Sequence, residues 1–261
     1  MRQLVKIGII LSLITTLSGC EFNSAPDPGT YGHLIRLQGA SNTTDLGGIQ
    51  TSNGQRIRSH RLIRSNQLAH LSKKDITTLS RQYHLTAIAD LRTVTESRQM
   101  PDVEIDGVTY FQDSVLSDRA AKVTTTRYYQ NLVSTPTAMR GYRALFNQIL
   151  ANRHGALLYH CTYGKDRSGI ATVLILSALG VSQKTILREY LRSNYNLSRG
   201  SRLAFKDPSD PNQSFTKVSS NDLAVAYRQI DHRYGSMTRF LRRLGLTSAK
   251  QRQLKAMYLT H

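Results

Sequence analysis

Two cysteines in 261 residues, Cys20 and Cys161, leave little material for a disulfide framework. Cys20 closes an apolar leader, so Cys161 is left without an intrachain partner. No cysteine or histidine cluster has zinc-ligand spacing, so no metal site and no cofactor are expected. Acidic residues are scarce as well: 17 Asp and Glu stand against 35 Lys and Arg, a formal charge of +18. Such an excess attracts phosphates, nucleic acid or anionic membrane surfaces, with a merely solvated basic surface as the plain alternative. Nucleic-acid motifs and aromatic-basic interleaving are missing, so no nucleic-acid partner is expected. Internal repeats are missing too. The ordinary apolar fraction, 39%, fits one sizeable globular domain.

The N-terminus carries its own signal. Arg2 and Lys6 precede an apolar stretch from Ile7 to Leu17, the layout of a secretory leader. That stretch falls short of the roughly 20 residues a comfortable membrane span requires. It ends Leu17-Ser18-Gly19-Cys20, which resembles a bacterial lipobox. The expected organisation is a signal peptide at 1–19, a lipidated tether at 20–34 and a domain at 35–261. Diacylglycerol on Cys20 would place the protein outside the cytoplasm, anchored to a bacterial membrane, at the cell surface or in the periplasm.

Within the domain, Asp45-Leu46-Gly47-Gly48 and Ser52-Asn53-Gly54 are turn chemistry. Ser72 with Asp75 three residues on predicts a helix N-cap, stapled by Leu71 and Ile76. Leu85 to Leu91, Val108 to Phe111 and Ala156 to Tyr159 read as strands. Met139, Tyr142, Phe146, Ile149 and Leu150 recur at helical spacing, and Gly155 is the expected stop. Ile170 to Leu179 is apolar all round, which predicts a central buried helix closed by Gly180, with another starting at Val181-Ser182. Residues 193–221 are polar, without periodicity, and read as an insertion or lid. Three helical pieces follow Asp222. Strands alternating with helices predict an α/β fold with a mostly parallel central sheet flanked by helices.

The most informative run is His160-Cys161-Thr162-Tyr163-Gly164-Lys165-Asp166-Arg167-Ser168-Gly169. It follows a strand and opens a helix. Backbone N–H groups and the helix dipole at such a place favour an anion. Cys161 is the candidate nucleophile, and Arg167 offers a planar fork for two phosphate oxygens. Thr162, Tyr163, Gly164, Lys165 and Gly169 complete the cradle, with Lys165 as a second cation and the glycines permitting a tight loop. Ser168 is placed to hydrogen-bond the sulfur and ease its departure. Asp166 is a candidate general acid; Asp113 and Asp118, upstream, are rivals. A nucleotide-binding Walker loop is excluded, since Tyr159 stands where glycine is required and Asp166 where Ser or Thr is.

This run resembles the loop of the atypical bacterial tyrosine phosphatases, His-Cys-x-x-Gly-Lys-Asp-Arg-Thr-Gly, departing only at Ser168. Asp45-Leu46-Gly47-Gly48, Arg64-Ser65, and Asp90-Leu91-Arg92 with Glu96 stand in that family's order, as do Tyr234-Gly235-Ser236 and Gly245-Leu246. The resemblance implies a cysteine-phosphatase fold without a metal. It also implies action on phosphotyrosine, in some members on phosphoserine/threonine, and on phosphoinositides. It carries over Cys161 as nucleophile, Arg167 as phosphate binder and Asp166 as acid. Lys165 matches a lysine linked to lipid-phosphate preference. His160, Asp90, Arg92 and Arg64 are expected to support the loop, and the Tyr128-Tyr129 pair to pack. The alternative reading is a surface lipoprotein that binds phosphorylated ligands without turnover.

Overall fold

The computed structural model describes residues 31–118, 123–199 and 217–260. Cys20, the leader and most of the tether lie outside the described residues. Six strands form the main sheet: β1 (His33–Leu34), β2 (Thr44–Asp45), β4 (Leu62–Ser65), β7 (Ala156–His160), β5 (Leu85–Asp90) and β6 (Thr109–Gln112), in that spatial order. β1, β2 and β4 pair antiparallel, whereas β4, β7, β5 and β6 run parallel. β3 (Arg56–Ile57) pairs with the C-terminal β8 (Leu259–Thr260).

The parallel strands β4, β7 and β5 are buried because both faces are covered, whereas the edge strand β6 is largely exposed. Alternate residues point to opposite sides, so Leu62, Ala87, Ala89, Leu157 and Tyr159 share one core. Ile63, Leu85, Ile88, Ala156 and Leu158 share the other, smaller core, with Leu68, Leu71 and Leu79. The larger core holds α4 (Pro136–Ala151) and α5 (Arg167–Leu179). Of α5 every residue but Ser177 is buried, as its all-round apolar sequence requires.

Caps set the helix ends. Ser72 and Asp75 form the expected capping box for α1 (Lys73–Thr77), and Asp75 also accepts from Gln38 and Gly39 N–H at 2.8 and 2.9 Å. The helix then widens into a π turn over Thr78–Gln82. Gly180 ends α5 with φ +88°, and Ser182 caps α6 (Gln183–Ser198). α4 stops at Ala151, four residues before Gly155; that glycine instead turns the chain into β7 at φ +66°. The polar stretch beginning at Ser193 is helical up to Ser198, because Ser193, Asn196 and Leu197 are buried on α6. Its last two residues open α7 (Ser220–Tyr234), and 200–216 lie outside the described residues. α8 (Met237–Arg243) and α9 (Ser248–Tyr258) complete the three C-terminal helices. Two further helices matter for the site: α2 (Val94–Gln99) follows β5, and α3 (Thr125–Ser134) precedes α4.

Candidate active site

β7 delivers His160 to the C-terminal edge of the sheet, and residues 161–166 loop from there into α5. Cys161 is buried, and its sulfur accepts a hydrogen bond from the Gly164 N–H at 3.3 Å. Gly164 has φ +69°, and a Cβ there would lie 2.5 Å from the Ser65 carbonyl oxygen. The loop is pinned from behind. The Thr162 carbonyl accepts from Gln67 N–H at 3.1 Å, and the Tyr163 carbonyl from the Asn42 amide at 3.0 Å. Ser168 Oγ, buried, bonds nothing among the described residues, so the sulfur's observed donor is Gly164 rather than the expected serine.

Arg167 opens α5 and is held by Glu96. One nitrogen of its fork bonds Oε2, and the other bonds Oε1 at 2.8 Å and Thr162 Oγ1 at 3.0 Å. Arg167 Nε is buried without a partner among the described residues. Thr93 and Glu96 form the capping box of α2, so the same carboxylate caps a helix and clamps the arginine. Burial pushes the Glu96 carboxyl up, but Arg167, Thr93 and Thr162 outweigh it and bring it to about 2. The clamp is therefore charged at any ordinary pH.

Asp166, the last loop residue, has both oxygens occupied. Tyr129 of α3 donates to Oδ1, and the Lys165 ammonium lies 2.6 Å from Oδ2. Tyr190 of α6 in turn donates to Tyr129 at 2.9 Å. Gly169 leaves room for this chain, since a Cβ there would sit 3.0 Å from the Tyr190 ring. Tyr128 stands beside Tyr129, edge to face at 5.5 Å. Burial raises its phenol; Arg167 opposes that, and Asp166, Cys161 and Glu96 add to it, placing Tyr128 against the same cluster.

Below the loop lies a buried ionic network. His160 Nε2 is 2.9 Å from Asp102, and Arg92 bridges Asp90 at 2.7 Å and Asp102 at 3.0 Å. Tyr110 donates to Asp90 at 2.5 Å. Burial works against charge on His160, yet Asp102 and Asp90 outweigh it and raise its pKa. Asp90, Asp102 and His160 approach one another closely enough to suggest a cation site, but the Arg92 guanidinium already bonds both carboxylates. Arg64 makes a fully buried pair with Glu189 at 3.2 Å, tying α6 to β4, and among the described residues it has no hydrogen bond to the loop.

Of the rival carboxylates, Asp118 is exposed and Asp113 is buried, with no hydrogen bond to the 160–169 loop among the described residues. Burial, opposed by the Gln148 side chain and reinforced by Asp90, pushes Asp113 up to about 6. A carboxyl raised above its unfolded value favours the fold when protonated, and that advantage is lost as pH rises from about 4 through 6. Asp113→Asn is therefore expected to stabilise the protein at about pH 8, by at most about 3 kcal/mol, and to give almost nothing near pH 4. Urea unfolding at the two pH values checks this; an equal gain at both would reject the charge explanation.

Sequence reading missed Glu96 as a site residue, and with it Asp102, Tyr129 and Tyr190. Only Glu96 left a signal, the Thr93-x-x-Glu96 capping pattern. Tyr129, read as packing, packs and also bonds Asp166.

A family model described as the tyrosine phosphatase family matches residues 35–260. A Cupriavidus necator protein provisionally named a tyrosine-protein phosphatase is 30% identical, over 80% of this chain and 83% of its own. The triple specificity protein phosphatase PtpB of Mycobacterium tuberculosis is 27% identical, over 85% of this chain and 98% of its own. Among solved structures, a cysteine-to-serine form of TpbA from P. aeruginosa, in complex with phosphotyrosine, is 14% identical. It aligns with 69% of this chain and 94% of its own at a TM-score of 0.37.

Proposed function

This chain belongs to the tyrosine phosphatase family, and from that membership we propose that it hydrolyses phosphate monoesters through a phosphocysteine on Cys161. One observation carries the reading: the Cys161 sulfur lies at the N-terminal end of α5, in a loop closed by an arginine clamped in place. Cys161 attacks phosphorus, and the bond to the leaving oxygen breaks. Arg167 holds two non-bridging oxygens, and backbone N–H groups of the loop hold the rest. Asp166 supplies the proton to the leaving oxygen and, in the second step, takes one from water. The water oxygen bonds phosphorus, the S–P bond breaks, and phosphate leaves with the sulfur returned to its starting state.

Phosphotyrosine proteins are the proposed substrates, with phosphoserine/threonine proteins and phosphoinositides as further ones. PtpB's triple specificity supports that breadth, and Lys165, half of an ion pair with Asp166, supports a multiply phosphorylated head group. The proposed location is extracytoplasmic, at the cell surface or in the periplasm, on a bacterial membrane held by lipid on Cys20. Phosphate release from a phosphotyrosine peptide, a phosphoserine peptide and phosphoinositides tests the reading. Binding of all three without release would instead make the chain a phospholigand-binding lipoprotein.

Tyr129 is proposed to aim Asp166. Tyr129→Phe is expected to lower kcat about tenfold with KM nearly unchanged, since Asp166 is the one residue of the 160–169 loop to which its hydroxyl is bonded among the described residues. If Asp166 serves the second step, rapid mixing will show a burst of released alcohol in this variant. A KM change with unaltered kcat would remove Tyr129 from that role.

A further inference from the structure

The surplus of positive charge is not spread evenly. Residues 136–151, which form α4, contain no Asp or Glu, and neither do residues 235–260, which include α8 and α9. The outer sides of these helices meet. Arg143 of α4 donates to the Arg243 carbonyl at the end of α8 at 2.9 Å, and Lys250 of α9 donates to Asn147 of α4 at 3.4 Å. Arg140 lies one turn from Arg143, and Arg239 one turn from Arg242 and Arg243, on their respective helix faces. All six side chains are exposed. Among the described residues none of the six pairs with a carboxylate; the seven ion pairs lie elsewhere, in the site and in the Arg64–Glu189 pair. Glu104 and Asp106 are exposed near β6, beside the smaller core rather than the larger one that carries α4, α8 and α9. A run of like charges without counter-charges repels itself and gains by meeting an anionic surface.

We infer that this face of α4, α8 and α9 docks on an anionic phospholipid bilayer. The choice of a bilayer rests on the proposed lipid anchor at Cys20. Ten residues separate Cys20 from Tyr31, so the domain stays within about 40 Å of the anchor, at 3.3–3.6 Å per residue. At that range the bilayer is present at high effective concentration, and several basic side chains suffice to fix the domain's orientation on it.

The test uses the soluble chain starting at Glu21, because every described strand and helix lies at 33–260. It is mixed with phosphatidylcholine vesicles with and without phosphatidylglycerol, and sedimentation reads the bound fraction. Binding is expected only with phosphatidylglycerol, and is expected to vanish near 1 M salt, where screening falls to about 3 Å. Arg140→Gln, Arg242→Gln and Lys250→Gln together are expected to weaken binding about a hundred-fold, about five-fold per charge. These three side chains are exposed and, among the described residues, their hydrogen bonds are exposed too, so the unfolding midpoint and phosphate release from a soluble peptide should stay as in the parent chain. Equal binding to neutral vesicles, or binding indifferent to the three changes, overturns the inference. Tighter binding to duplex DNA at the same salt also overturns it and would make this a nucleic-acid face. Failure to acylate Cys20 in cells would remove the anchor without altering the vesicle result, and loss of phosphate release would remove the enzymatic reading alone.

Discussion

Changing Cys161 to serine will lower phosphate release by at least about 10⁴-fold while leaving the fold and ligand binding in place. The side chain is buried and receives one hydrogen bond, from Gly164 N–H, which a hydroxyl also accepts. Nothing in the loop depends on sulfur for its shape: Asn42, Gln67 and Glu96 hold it from other positions. A serine hydroxyl is a far weaker nucleophile at neutral pH, and no base within the described hydrogen bonds is placed to take its proton. The variant should therefore retain a phosphotyrosine peptide with an affinity within a few-fold of the parent's KM. Calorimetry on the variant and phosphate release on both forms measure the two halves of this statement. Residual turnover above about one part in a hundred would reject a phosphocysteine route, because it exceeds what positioning alone supplies. EDTA should leave the parent enzyme unchanged, since no step is assigned to a metal.

The loop was legible in the sequence because its residues are contiguous and their order is itself the geometry: a strand end, a glycine at positive φ, an arginine at a helix start. So was α5, whose apolar residues occupy every face. Local caps such as Ser72 with Asp75 were legible for the same reason, since partner and helix lie within one turn. What escaped was carried across the chain. Glu96 meets Arg167 from 71 residues away, and Tyr129 meets Asp166 from 37. The Thr93-x-x-Glu96 pattern announces a cap, and nothing in it says that the carboxylate's remaining lone pairs face an arginine. Arg64 and Glu189, 125 residues apart, are similarly silent. The two-residue strands β1, β2, β3 and β8 are too short to show alternation, and long-range pairing alone defines them. Helix α6 outran its expected end because Ser193 and Asn196 are polar yet buried, and Asn196 bonds Asn42 and Thr44 across the molecule.

Arg167→Lys should cost about 10³-fold in kcat/KM, with most of the loss in kcat. The guanidinium has five donors in a fixed plane, and here one edge is spent on Glu96 and Thr162. The Nε on the other edge is buried and unpartnered among the described residues, which leaves it a free donor. Nε can thus meet one phosphoryl oxygen while the clamp stays shut, and a second oxygen would take the place of Thr162 Oγ1 on the neighbouring nitrogen. A lysine ammonium is a single point on a flexible stem. It can meet Glu96 or the phosphate, and meeting both draws it to neither position. The charge is conserved, so ground-state attraction survives better than alignment in the transition state, and kcat suffers more than KM. Glu96→Gln separates clamp from charge. The amide keeps one acceptor for Arg167 and drops the ion pair, so a loss of only about ten- to thirty-fold is expected, smaller than the lysine change. Glu96 is ionised down to about pH 2, so the parent's activity should show no limb from this clamp at any pH where the protein is assayed. Steady-state kinetics of the two variants against one soluble phosphotyrosine peptide decide the point. Should Arg167→Lys stay within tenfold of the parent, the planar fork is not what holds the phosphoryl group, and the backbone N–H groups of the loop must carry that task alone.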